Sequence, residues 1–127
     1  MKWLFSIHWV LVSALWYFGN GVLHDIFVII KHKEKYDKEL LYLLLNGHIL
    51  LLSGVVLFVC YFMMLNKIQY GAYLSIIIGI SMLIYCALIF PFLKSIVTIL
   101  ISIFLIFVSI NALNNFPNIN EIMKNYK

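Results

Sequence analysis

The stretch LLYLLLNGHILLLSGVVLFVCYFMML (residues 40–65) carries no charged side chain, and only Asn46, Gly47, His48, Ser53 and Gly54 interrupt its apolar run. An α-helix rises about 1.5 Å per residue and needs roughly 20 apolar residues to cross a hydrocarbon core. This run crosses with a turn or more to spare. Outward from it, polar residues set off three further apolar runs, at 3–30, 70–90 and 95–113. The separators are the charged stretch KHKEKYDKE (31–39), the tetrapeptide NKIQ (66–69), and Pro91 with Lys94. Proline cannot donate a helical hydrogen bond and lysine seeks the headgroup layer, so both mark span ends.

The composition agrees with this reading. Of 127 residues, 65% are hydrophobic and 11% charged, with a mean hydropathy of +1.03. A soluble domain has about 45–50% apolar and about 25% charged residues, so little polar surface would remain to cover a water-soluble core. That excludes a cytosolic enzyme, a nucleic-acid module, a disordered chain and a disulfide scaffold. The net charge of +4 comes from nine lysines scattered between apolar runs, which gives span-end anchors and no nucleic-acid patch. Cys60 and Cys86 both lie inside apolar runs and read as small core residues. The expectation is an all-α integral membrane four-helix bundle, a single domain over residues 1–127, multi-pass in the cell membrane with the lipid bilayer as its first partner.

Runs one and two exceed a span by roughly six to eight residues. Their surplus carries Asn20, His24 and Asp25 in one and Asn46 and His48 in the other, so both helices are expected to project beyond the bilayer at the loop 31–39 end. Residues 3–22 and 46–65 then supply the spans. Lys2 ahead of an apolar run with Ser13-Ala14 inside it suggests a signal peptide, but the run is too long for one, and an uncleaved first helix is expected. Loop 31–39 pairs Glu34 with Lys38 and Lys35 with Glu39 at helical spacing and reads as a solvated helical turn. The tail 114–127 places Ile119, Ile122, Met123 and Tyr126 on one face behind Asn118 and Glu121, the pattern of a short interfacial helix over 118–126. Loops one and three hold five lysines against four on the opposite side, a slight lean towards loop one in the cytoplasm.

Small or weakly polar residues recur every seven positions in each run. The rows are Ser6, Ser13, Asn20; Asn46, Ser53, Cys60; Ala72, Gly79, Cys86; and Ser95, Ser102, Ser109. Apolar side chains gain nothing by leaving lipid for protein, so membrane helices associate through small residues and hydrogen bonds. A period of seven is that of left-handed knobs-into-holes packing, and the four rows predict such a bundle.

Ionisable groups in spans point to function. The candidate polar or ligand site is Asn20, His24, Asp25, Asn46 and His48. At about 100° per residue, Asn20 and His24 share the seam of run one, whereas Asp25 lies about 140° from Asn20 and His48 about 200° from Asn46. His24 is therefore expected to meet Asn46, or a water shared with it, across the first hairpin, with Asp25 and His48 turned to headgroups or water. No catalytic residue set stands out, and no metal or cofactor is expected. A haem or transition metal held by His24 and His48 is the exception that convergence of the two rings would favour. His8, Trp3, Trp9, Trp16, Tyr17 and Tyr70 read as interface anchors and packing. The preferred function is a non-catalytic helical-bundle subunit that self-associates or joins a larger membrane complex. The alternatives are a small oligomeric transporter or channel, and a haem- or metal-binding membrane protein.

Overall fold

The computed structural model describes residues 2–32, 36–91 and 95–116. They form four helices, α1 (Lys2–Lys31), α2 (Lys38–Leu65), α3 (Tyr70–Ile89) and α4 (Ile96–Asn114). All four are long and apolar enough to cross a membrane. Their lengths are 30, 28, 20 and 19 residues, so the first two exceed the last two as the apolar runs require. The expected interfacial helix over 118–126 lies outside the described residues, as do 33–35 of loop one. His32, Tyr36 and Asp37 on either side of that gap are not helical. Asp37 instead caps α2, its Oδ1 accepting from the Leu40 N–H at 2.8 Å. That backbone donor, with His32 nearby, holds the Asp37 carboxyl below the usual carboxylate range.

Each helix packs on the next in the chain, and α4 closes the ring on α1. All four pairings are antiparallel, because contacts between early residues of one helix and late residues of its neighbour repeat along each seam. Tyr17 meets Ser102 and Ser6 meets Asn111 between α1 and α4. Ser53 meets Met82 and the Asn46 carbonyl meets Tyr85 between α2 and α3. The α1–α2 seam is the broadest. It is broad because Gly21 and Gly54 let the backbones touch: a Cβ on Gly21 would lie 2.6 Å from Leu51 N, and one on Gly54 2.5 Å from Phe18 N.

The seven-residue rows face inward. Ser6, Ser13, Cys60, Ala72, Gly79, Cys86, Ser102 and Ser109 are buried, while Asn20, Asn46, Ser53 and Ser95 are half-buried. Between the rows, Ile7, Val10, Tyr17, Leu57, Met82 and Leu105 fill the core. Tyr17 is the largest fully buried side chain and shares a 2.6 Å hydrogen bond with Ser102, which itself donates to the Thr98 carbonyl at 2.7 Å. Among the residues read as anchors, Tyr17 therefore belongs to the core, Trp9 packs edge-on against Phe104 at 5.0 Å, and Tyr70 is exposed.

Candidate functional site

At the loop-one end a cavity lies between the helices. The row members nearest that end are Asn20, Asn46, Cys86 and Ser95, and all four line one cavity of about 360 Å³ together with His24 and Thr98. Seam rows built from small side chains thus finish in polar ones, and the space between them stays open. Tyr85 borders the cavity and donates its hydroxyl to the Asn46 carbonyl at 3.4 Å, tying α2 to α3. The Thr98 hydroxyl oxygen accepts from the Trp16 indole at 3.5 Å. Among the described residues, neither the Asn20 nor the Asn46 side-chain amide has a hydrogen-bond partner.

Beside the cavity, on the α1–α2 flank, Asp25 lies between two imidazoles. Its Oδ2 is 3.0 Å from His48 Nδ1, and its Oδ1 is 3.6 Å from His24 Nδ1. His48 Nδ1 also lies 3.3 Å from the Leu44 carbonyl; both neighbours are acceptors, so this nitrogen carries a proton. The second pair is too long for a hydrogen bond, and both its atoms, His24 Nδ1 and Asp25 Oδ1, are buried without a partner. Gly47 makes the arrangement possible. A Cβ there would overlap the Asp25 carboxylate and come within 2.9 Å of His24 Nδ1. The side chain of His48 is 68% exposed against 21% for His24, so the carboxylate sits between a surface imidazole and a cavity-lining one.

His24 and Asn46 line the same cavity, with no direct hydrogen bond between them. One expectation is corrected: His48 does not turn away but meets Asp25 across the hairpin. The angular argument took Asn46 as the side of α2 that faces α1. In a ring of four helices the central axis and the adjacent helix lie in different directions. Asn46 faces the central cavity, and Gly47, about 100° further round, faces α1. Asp25 lies about 40° round from Gly21, the close contact on α1, and His48 one step of about 100° beyond Gly47, the close contact on α2, and so they meet.

The two histidines do converge, but on a carboxylate. A metal needs its donors around one shared centre, and here Asp25 Oδ1 and Oδ2 face separate rings. Among the described residues, the one group of three donors with ligand atoms within 4.8 Å of one another is His32, Asp37 and Glu39. That group lies at the start of α2, its carboxylates are exposed, and Asp37 is engaged as the helix cap. Sequence reading missed it because His32 and Asp37 flank a loop whose path decides their separation. Comparison with known protein families, characterised proteins and solved structures finds no match to the chain.

Proposed function

We propose that this chain is a multi-pass membrane protein, a left-handed four-helix bundle that binds a small polar molecule in the cavity at its loop-one end and performs no covalent chemistry. Four helices of spanning length and composition support the membrane reading, and the inward seven-residue rows support the handedness. The surplus turns of α1 and α2 carry His24, Asp25 and His48 to the headgroup level, where a ligand can reach them.

One observation carries the binding reading. A buried polar atom is normally paired, yet His24 Nδ1 and Asp25 Oδ1 face each other unpaired beside a cavity with two unpartnered amides. A bundle that served only as a packing subunit would gain by losing these groups. Most of the small-residue row members are buried within the chain's own seams, which leaves few of them for self-association.

Reversible unfolding in lipid micelles or bicelles tests the reading. Binding residues are kept at a cost to stability, so His24→Leu and Asp25→Asn should leave unfolding free energy within about 0.5 kcal/mol of the parent or raise it. A loss of about 2 kcal/mol or more from each would make them packing residues and restore the subunit reading.

A further inference from the structure

We infer that the ligand of this cavity is a neutral, ring-sized molecule that presents a hydroxyl to His24, of the phenol or quinol class. This rests on the binding reading above and names the chemistry of the same site. The reasoning starts from Asp25. A carboxylate only accepts hydrogen bonds, and its Oδ1 faces His24 Nδ1 at 3.6 Å. The carboxylate therefore favours the tautomer of neutral His24 with its proton on Nδ1. Nε2 is left with a lone pair. His24 lines the cavity and its buried Nδ1 faces Asp25, so Nε2 is the ring nitrogen left for a ligand. An acceptor of this kind calls for a donor, and an O–H supplies it.

Charge and shape narrow the class. Among the described residues no lysine lines the cavity, so nothing there favours an anion. Asp25 lies outside the lining and has the exposed His48 as its partner, so a cation is not required either. A volume of about 360 Å³ is at the low end for ligand pockets, with room for one ring and its substituents. Leu43, Leu50 and Ile89 give that ring apolar walls. The Asn20 and Asn46 amides in the same lining can each donate or accept, which suits a second oxygen on the ring.

The test compares four probes on the whole protein in phosphatidylcholine nanodiscs under anaerobic conditions: a short-chain 1,4-benzoquinol, its dimethyl ether, the matching quinone and a benzylamine of similar size. The quinol should bind tightest, with the ether and quinone weaker by roughly ten- to a hundredfold, the range for a hydrogen bond to a charge-backed group. Asp25→Asn should shrink that preference while the circular dichroism of the bundle stays unchanged, which a purely structural role would not produce. The probe comparison needs no variant, so a misfolded mutant cannot blur it. Equal binding of quinol and ether overturns the hydroxyl inference and leaves the cavity as a binding site. Tighter binding of the benzylamine overturns the neutral class. No binding by any probe overturns the inference as well, and the unfolding measurements above then judge the binding reading separately.

Discussion

Tyr17 carries one phenol into the centre of the bundle, where its hydroxyl and that of Ser102 lie 2.6 Å apart. Ser102 keeps a second bond to the Thr98 carbonyl, so removing the phenol oxygen leaves no orphaned partner. Interhelical hydrogen bonds in membrane proteins average about 0.6 kcal/mol, and Tyr17→Phe should cost about that much, measured by steric trapping or denaturant unfolding in bicelles. A cost several times larger would mean that the hydroxyl holds α1 to α4 beyond its one bond. The sequence gives little sign of this role. An aromatic residue near a span end has the look of an interface anchor, and only the partner helix reveals the serine opposite.

The α1–α2 pair depends on glycines more than on its polar residues. Gly54 receives the backbone of Phe18, and a Cβ there would come within 2.5 Å of Phe18 N and 2.8 Å of its Cα. Backbone cannot swing aside as a flexible side chain can, so Gly54→Ala must push the helices apart. Overpacking of this kind costs about 1–3 kcal/mol, and the same unfolding measurement should register it. Gly19 is the internal control, since a Cβ there meets nothing within 4 Å and Gly19→Ala should be neutral or mildly stabilising. Equal effects at the two positions would break the close-approach account. Gly47 belongs to the same seam but serves the site, because its missing Cβ makes room for the Asp25 carboxylate.

Over the whole molecule, the antiparallel ring puts loop one and the α3–α4 link at one end, and the α2–α3 link at the other. If the bundle spans a bilayer as proposed, single cysteines placed at Tyr36 and Lys67 should react with a membrane-impermeant maleimide from opposite sides. The native Cys60 and Cys86 are buried and should stay unlabelled until the protein is unfolded. Labelling of both introduced cysteines from the same side would contradict the spanning arrangement. The exposed outer surface is dominated by residues such as Phe5, Leu23, Phe62, Ile84 and Leu88, which suits hydrocarbon and would be costly in water.

The number, length and order of the helices are properties of the chain alone. In the bilayer proposed for it, each apolar run must satisfy its backbone hydrogen bonds within itself, so run length translates directly into helix length. The inward face of each helix was legible for a similar reason. A seven-residue recurrence is measured along one helix, and Ser6, Ser13, Ala72, Gly79, Ser102 and Ser109 are buried as that recurrence requires. It also pointed to the polar end of the bundle, since Asn20, Asn46, Cys86 and Ser95 are the last row members there. Which side chains meet across a seam was not legible. That depends on the rotation of each helix about its own axis relative to a neighbour, a quantity no single helix contains. An error of about one residue step, from Asn46 to Gly47, was enough to send His48 to the wrong side. Only the packed structure fixed that angle, because backbone contact at Gly21, Gly47 and Gly54 sets how close and how turned the two helices sit, and Asp25 then falls between His24 and His48.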